Sequence, residues 1–203
     1  MNADFSERRV KMVDGQVRTT DVTSAPLIEA MLSVPREAFV GAGQQDLAYI
    51  DEDIRISDGA NGGGARYLME PSPLAKLLQL AEIDAGDSVL DVGCGTGYSA
   101  ALLSRLARSV VALESDPALA EAARSTLSSL GCQNVTVVAG PLPQGQAAKA
   151  PYNVIFIGGS GPATTVTFWQ PRLERVDLAA SASAGSLSSA TTERASRDSN
   201  AAE

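Results

Sequence analysis

The second half of the chain alternates short apolar runs with amphipathic stretches. The apolar runs predict four strands, at 88–92, 109–114, 134–140 and 152–159. The helical spacing of apolar positions between them predicts three helices, over 72–83, 98–107 and 116–130. Strands that alternate with helices form parallel units with right-handed crossovers. We therefore predict an α/β fold with a doubly wound, mostly parallel sheet.

The first 70 residues follow a different pattern. Residues 4–20 predict a charged, weakly amphipathic helix, and a second helix follows within TSAPLIEAML, with Asp21 as its candidate cap. The stretch VPREAFV predicts a short helical turn, and LAYIDEDIRI predicts an extended, partly paired segment. The glycine-rich stretch SDGANGGGAR has no periodicity and predicts a flexible loop. This part of the chain is therefore expected to be mainly helical.

The last 40 residues lose the alternating pattern. The stretch SASAGSLSSATTERASRDSNAAE is rich in Ser, Ala and Thr and has no apolar face, which predicts disorder or weak helix and no strand. The sequence thus divides into an N-terminal segment at 1–70, an α/β domain at 71–163 and a low-complexity tail at 164–203.

Composition excludes several classes of protein. The 203 residues carry a net charge of −8, and no basic cluster offsets it, so a nucleic-acid partner is not expected. The N-terminus has no apolar region typical of a signal peptide, and no apolar run approaches the roughly 20 residues that cross a bilayer. Neither Cys94 nor Cys132 has metal-ligand spacing, so no metal site is predicted. We predict a soluble, cytoplasmic protein that uses neither membrane nor nucleic acid. Its oligomeric state is left open.

The stretch DVGCGTGY, between the first predicted strand of the sheet and the following helix, is the candidate ligand loop. Its glycines occupy alternate positions, which differs from the GxGxxG pattern of dinucleotide loops. Asp91 ends the strand, where a carboxylate would repel a pyrophosphate but suits an ammonium beside a sulfonium. Small loop residues let the backbone approach such a ligand closely. The predicted loop contacts are Gly93, Cys94, Gly95, Thr96 and Gly97.

A second acid, Glu114, ends the next predicted strand about 20 residues further on. In sheets of this kind, an acid at that spacing accepts hydrogen bonds from ribose hydroxyls. The alternatives are a purely structural glycine turn and a solvated acid at a strand end. Together, Asp91 and Glu114 favour S-adenosylmethionine over NAD as the cofactor. Cys94 is interpreted as a small loop filler rather than a reactive thiol, because no cationic residue lies near it in the sequence.

These stretches resemble a known family. VLDVGCGTGYSAALL followed by ALESDPALAEAAR is similar to the S-adenosylmethionine-dependent methyltransferases with a Rossmann-like sheet. MVDGQVR, APLIEAMLSVPREAFV, AYIDEDIRI and APYNVIFIGGS resemble the protein-L-isoaspartate O-methyltransferase family in particular. The resemblance covers roughly residues 8–160. It implies methyl transfer to the free carboxylate of isoaspartyl residues in damaged proteins, an N-terminal segment on the substrate side and a cofactor-binding domain at 71–163.

The chain departs from the family pattern in several places. Leu68, Met69 and Glu70 stand where the family has Thr-Ile-Ser, whose serine helps to hold substrate. Gly-Pro-Leu at 140–142 replaces the family's Gly-Asp-Gly, and Asn153 replaces the aspartate of its Pro-Tyr-Asp. The sequence after about residue 161 does not match the family, which indicates a truncated, frame-shifted or unrelated end.

Three functions are open at this point. The first is isoaspartyl methylation, with no catalytic residue assigned. The second is methylation of another substrate on the same fold, and the third is an inactive cofactor-binding paralogue. Glu70 bears on this choice, because its carboxylate either opposes an incoming substrate carboxylate or is a solvated bystander.

Overall fold

The computed structural model describes residues 5–59 and 64–158, together with the backbone of 192–194. Its α-helices within these ranges are α1 (Phe5–Met12), α2 (Ala25–Ser33), α3 (Pro71–Leu80), α4 (Tyr98–Leu106) and α5 (Pro117–Ser129). Its strands are β1 (Ile54–Ser57), β2 (Arg66–Leu68), β3 (Ser88–Val92), β4 (Ser109–Glu114), β5 (Val135–Ala139), β6 (Val154–Ile157) and β7 (Thr192–Arg194). None of the described helices is long and apolar enough to cross a membrane.

The main sheet has the strand order β5-β4-β3-β6-β7. The first four of these strands are parallel, and β3 lies at the centre with β4 on one side and β6 on the other. Asp91 on β3 stands opposite Ala112 and Phe156. The predicted α/β class and parallel sheet are confirmed, and the predicted strands match within two residues at each end.

Alternation along the central strands divides the core between the two faces of the sheet. One face contributes Val89, Val110 and Phe156 to the large core that also holds the N-terminal segment and α4. The opposite face contributes Leu90 and Leu113 to a smaller cluster closed by the segment before β6. Burial on both faces explains why these strands are nearly continuous apolar runs in the sequence. It also makes the polar residues on β3 and β4 unusual.

The N-terminal segment is helical, as predicted, but its first helix changes type. α1 continues into a π-helical turn at Val13–Val17 and a 3-10 turn at Arg18–Thr20. The predicted cap of the second helix is wrong, because Asp21 has a left-handed backbone (φ 62°) and α2 starts after Ser24. Ser24 makes no capping side-chain hydrogen bond either, and Gln79 on α3 instead binds the backbone just before α2. Its Oε1 accepts from the N–H groups of Thr23 and Ser24 at 2.7 and 2.9 Å.

The stretch VPREAFV forms the predicted short turn, a 3-10 helix at Arg36–Phe39. The predicted extended segment at 47–56 is paired only from Ile54, where β1 forms an antiparallel pair with β2. We call the pair of β1 and β2 the N-terminal hairpin. Four residues of the predicted glycine-rich loop, 60–63, lie outside the described residues.

The prediction that the tail contains no strand is wrong at one place. β7 pairs antiparallel with β6, with Thr192 opposite Phe156 and Arg194 opposite Val154. An edge strand such as β6 offers unpaired backbone N–H and C=O groups, and any backbone can satisfy them without an apolar pattern. The remainder of the predicted tail lies outside the described residues.

Candidate functional site

The glycine loop lies at the carboxyl ends of β3 and β4, beside the point where the strand order reverses around β3. Ligands bind at this place in open α/β sheets. The N–H groups of Gly93 and Cys94 both donate to the carbonyl of Leu113, at 2.8 and 3.2 Å. The loop therefore turns across the end of β4 before it enters α4.

Two of the loop positions favour glycine. Gly95 has φ +57°, and a Cβ there would lie 2.9 Å from Cδ1 of Ile56 on β1. Gly97, which precedes α4, has φ +98°, and its Cβ would lie 3.2 Å from Cβ of Ala123 on α5. A side chain at either position would strain the left-handed backbone and crowd its neighbours. The loop is thus held between the N-terminal hairpin and α5.

The carboxylate of Glu114 is fully buried and is surrounded by donors. Its Oε2 accepts from the N–H of Gly95 at 2.8 Å, which ties it to the glycine loop. Its Oε1 accepts from the N–H groups of Ser115 and Asp116 at 2.7 and 3.0 Å. Glu114 is therefore not the solvated acid that the sequence left open, and it holds the loop and the following turn together.

Arg66, the first residue of β2, completes this arrangement. Its Nη1 and Nη2 donate to the two carboxylate oxygens of Glu114 at 2.9 and 2.8 Å. The side chain of Arg66 is 25% exposed, whereas that of Glu114 is 0% exposed. The same guanidinium lies against the loop, because a Cβ on Gly93 would be 3.4 Å from Nη2. The N-terminal hairpin thus places a cation directly at the predicted ribose site.

Asp91 is also fully buried, but it is less well satisfied. Its Oδ2 accepts from the hydroxyl of Ser99 on α4 at 2.7 Å, while its Oδ1 has no hydrogen-bond partner. The pKa of Asp91 is raised to about 7, mainly by burial and also by the nearby Glu114 carboxylate, against the lowering effect of the hydrogen bond from Ser99. An unpartnered acceptor whose charge is disfavoured in the ligand-free protein suits a cationic ligand group.

The sequence-predicted site residues therefore lie together around one loop. The free oxygen of Asp91 fits an ammonium. The carboxylate of Glu114 lies against the loop, but its oxygens already accept from Arg66, the loop and the following turn. Cys94 is buried, and burial together with the charges of Asp91 and Glu114 raises the pKa of its thiol well above the usual value. This supports its interpretation as a loop filler, because the reactive form of cysteine is the thiolate.

The N-terminal segment contributes directly to the loop. The hydroxyl of Thr96 donates to the carbonyl of Phe39 at 2.7 Å, and the Phe39 ring packs edge-on against Tyr98. The fully buried Arg36 donates to the carbonyls of Ala48 and Met69 at 2.7 and 2.6 Å. Its guanidinium also lies 4.8 Å from the centre of the Tyr98 ring. The segment VPREAFV therefore builds one wall of the site.

Glu70 follows Met69 and lies at the N-terminus of α3 among other acids. Its N–H donates to Oδ1 of Asp53 at 2.9 Å. Partial burial raises the pKa of Glu70, and the carboxylates of Asp51, Asp53 and Glu52 raise it further. Glu70 is half-buried in this position, and whether its carboxylate opposes a substrate carboxylate stays a prediction.

One departure from the family pattern has a structural explanation. Asn153 lies just before β6, and its Oδ1 accepts from the N–H of Ser88 at 2.9 Å. Its own N–H donates to the carbonyl of Ser88 at 2.8 Å. An asparagine oxygen serves here as well as a carboxylate oxygen, since only an acceptor is needed.

Sequence reasoning missed Arg66, Ser99 and the contact between Thr96 and Phe39. Arg66 is the last residue of the glycine-rich stretch that the sequence predicts as a flexible loop, and nothing in that local pattern indicates that it pairs with a buried carboxylate. Ser99 is the second residue of a helix predicted for its apolar spacing. The sequence predicts Thr96 as a contact of the glycine loop, but it does not predict its hydrogen bond to Phe39.

Comparisons with known proteins place this geometry in a family. The model of the protein-L-isoaspartate(D-aspartate) O-methyltransferase family matches residues 7–171. A protein-L-isoaspartate O-methyltransferase of Koribacter versatilis is 37% identical over 158 residues, which is 78% of this chain and 68% of that protein. One from Protochlamydia amoebophila is 39% identical over 151 residues, which is 74% of this chain and 69% of that protein.

Solved structures agree in fold. A protein-L-isoaspartate O-methyltransferase superposes with a TM-score of 0.68 at 28% identity, over 77% of this chain and 49% of that one. A Plasmodium falciparum protein, described as a putative protein-L-isoaspartate O-methyltransferase in complex with S-adenosyl-L-homocysteine, superposes with a TM-score of 0.59 at 17% identity. The superposition covers 77% of this chain and 74% of the Plasmodium falciparum protein. The chain thus spans about two thirds of the curated relatives and half of the first structure.

The raised pKa of Asp91 predicts a specific pH dependence of stability. The folded protein keeps the Asp91 proton up to about pH 7, whereas an unfolded aspartate loses it near 3.8, so this group lowers stability progressively as the pH rises between those values. We expect Asp91→Asn to stabilise the ligand-free protein more at pH 8 than at pH 5, by roughly 2 kcal/mol. Urea unfolding at both pH values measures this difference. Asp58→Asn, at an exposed aspartate, should show no such change with pH.

If Asp91→Asn changed the free energy of unfolding equally at both pH values, the raised pKa of Asp91 would be contradicted.

Proposed function

The chain belongs to the protein-L-isoaspartate O-methyltransferase family, and from this premise we propose that it methylates the free carboxylate of isoaspartyl residues in damaged proteins, with S-adenosylmethionine as the methyl donor. The family, the Rossmann-like fold and the methyltransferase class predicted from the sequence are confirmed. The substrate and the residue roles of this particular chain are the content of the proposal.

The cofactor would be held by residues of β3, β4 and the loop between them. Bound S-adenosylmethionine supplies a methyl group on a positively charged sulfur, which is an electrophile. We assign Asp91 to its ammonium, because Oδ1 is buried without a partner. We assign Glu114 to the ribose hydroxyls, and the stretch from Gly93 to Gly97, with Cys94, Gly95 and Thr96, to close backbone approach.

The reaction makes small demands on acid–base groups. A substrate carboxylate is already ionised and nucleophilic at neutral pH, so the protein has to align it and exclude water. A chain without histidine is compatible with such a reaction. The wall formed by Arg36, Phe39 and Tyr98 is buried and closely packed, which suits it to positioning. No residue is assigned a catalytic role.

The observation that carries the proposal is the arrangement around the loop. A buried carboxylate with a free oxygen and a second buried carboxylate 23 residues later both meet the same glycine loop, in a chain that matches the family model over residues 7–171. The cytoplasmic location predicted from the sequence stays part of the proposal. Glu70 favours keeping the second candidate, a methyltransferase of the same fold with a different acceptor.

A transfer assay separates the candidates. The chain is incubated with S-adenosylmethionine labelled in its methyl group and with an isoaspartyl peptide, and the control is the same peptide with ordinary aspartate. Base-labile label on the isoaspartyl peptide alone is the expected result. Cofactor binding without transfer to either peptide would contradict isoaspartyl methylation and leave another acceptor or an inactive paralogue.

Replacing Glu114 tests the assignment of the ribose site. Glu114→Gln keeps the shape of the side chain but removes its charge, so we expect binding of S-adenosylhomocysteine to weaken by about 1.5–3 kcal/mol, the range for hydrogen bonds to a charged group. Calorimetric titration measures the change. Glu121→Gln on α5, at an exposed glutamate paired with Arg124, is the matched control and should bind as the native chain does. Equal affinities of the three proteins would refute the assignment.

Replacing Glu70 tests the substrate side. Two carboxylates about 4 Å apart repel by about 4 kcal/mol at an effective dielectric of 20, and solvent reduces this at a partly buried group. We therefore expect Glu70→Ser to raise kcat/KM for an isoaspartyl peptide by about tenfold. Glu29→Ser, at an exposed acid on α2, controls for the change in net charge. Strong native activity that Glu70→Ser leaves unchanged would show that Glu70 does not face the substrate.

A further inference from the structure

The carboxylate of Glu114 has no acceptor capacity left for a ligand. Its oxygens receive six N–H or O–H donors, from Arg66, Gly95, Ser115 and Asp116. A carboxylate offers about four lone-pair sites. Two ribose hydroxyls can therefore bind to Glu114 only if existing donors leave.

The donors differ in how easily they leave. Three are backbone N–H groups, of Gly95 in the glycine loop and of Ser115 and Asp116 in the turn after β4. A fourth is the hydroxyl of Ser115 in the same turn, at 3.2 Å. That turn is fixed by Asp116, whose Oδ1 accepts from the N–H groups at the start of α5. By contrast, the two donors from Arg66 lie on a long side chain that is 25% exposed and comes from the three-residue strand β2.

The geometry of the Arg66 contact matches that of the expected ligand group. The guanidinium places one N–H on each oxygen of the carboxylate, at 2.9 and 2.8 Å. Two adjacent hydroxyls of a ribose would also present one donor to each oxygen. Arg66 also lies against Gly93, the first glycine of the loop that would approach the cofactor.

We infer that Arg66 is an internal competitor of the cofactor ribose for Glu114 and so sets the affinity of the chain for S-adenosylmethionine. The inference rests on the proposed binding of the ribose at Glu114. In the ligand-free protein the guanidinium neutralises a buried carboxylate that would otherwise be costly. When the ribose binds, its hydroxyls replace the two Arg66 donors, and the guanidinium is released towards solvent.

The ribose can bind only those molecules in which the Glu114 carboxylate is free of Arg66. The apparent affinity for the cofactor is therefore the intrinsic affinity multiplied by that fraction. Replacing Arg66 should therefore tighten binding, whereas damage to the fold of the site would weaken it. For an ion pair that is partly exposed, we expect Arg66→Ala to bind S-adenosylhomocysteine roughly tenfold more tightly than the native chain. Arg66→Lys, which keeps the charge but cannot bind both oxygens at once, should lie between the two.

The experiment is a calorimetric titration of the native chain and its variants with S-adenosylhomocysteine and with its 2′,3′-dideoxy analogue. Arg55→Ala is the matched control, because Arg55 lies on the neighbouring strand β1. Within the described residues, its salt bridge is to the exposed Asp58 and not to Glu114. It should bind as the native chain does. The Arg66→Ala gain should appear for S-adenosylhomocysteine and not for the dideoxy analogue, which has no hydroxyls to compete.

The outcomes distinguish a failure of the Arg66 competition from a failure of the proposed function. The competition is overturned if folded Arg66→Ala binds S-adenosylhomocysteine no more tightly than the native chain, or if its affinity rises equally for both ligands. Either result would leave the proposed function intact. A native chain and variants that all fail to bind S-adenosylhomocysteine would overturn the proposed function and the inference with it. If Arg66→Ala does not fold, nitrogen NMR of the native Arg66 side chain decides. Its signals should shift on saturation with S-adenosylhomocysteine, and unchanged signals would overturn the inference.

Discussion

The buried carboxylate of Glu114 joins parts of the chain that are far apart in sequence. It receives hydrogen bonds from the N-terminal hairpin through Arg66, from the glycine loop through Gly95, and from the turn into α5 through Ser115 and Asp116. A charge in this position is tolerable only because so many donors surround it. The position of the loop, the start of α5 and the placement of β2 all depend on this one group.

The N-terminal segment is part of the site as well as a cover for the sheet. The buried guanidinium of Arg36 has two carbonyl partners and the ring of Tyr98, and burial lowers its pKa. Its contact with the carbonyl of Met69 fixes the chain just before Glu70, while Thr96 fixes the loop to Phe39. In the proposed function, the substrate side and the cofactor side would therefore share one buried wall. A change in the hairpin can reach the cofactor loop through Arg66 and Glu114.

The sequence predicts most of the α/β domain because its signals are local. Strands buried on both faces appear as apolar runs, glycines at left-handed positions appear as a glycine loop, and Asp116 caps the helix that follows it. The pairing of Arg66 with Glu114 joins residues 48 positions apart and leaves no local pattern. The predicted cap of α2 is wrong for the same reason, since the chain before α2 is held by Gln79 on another helix. β7 is held by backbone pairing, which no side-chain pattern records.

We propose that Asp91, near the end of β3, and Glu114, at the end of β4, select a cationic nucleoside over a dinucleotide. The most direct test is a pair of calorimetric titrations of the native chain near pH 7, one with S-adenosylmethionine and one with NAD. Saturable binding of S-adenosylmethionine at a single site, with no measurable heat of binding for NAD, is the result that the buried carboxylates Asp91 and Glu114 predict. Tight binding of NAD together with none of S-adenosylmethionine would contradict the account.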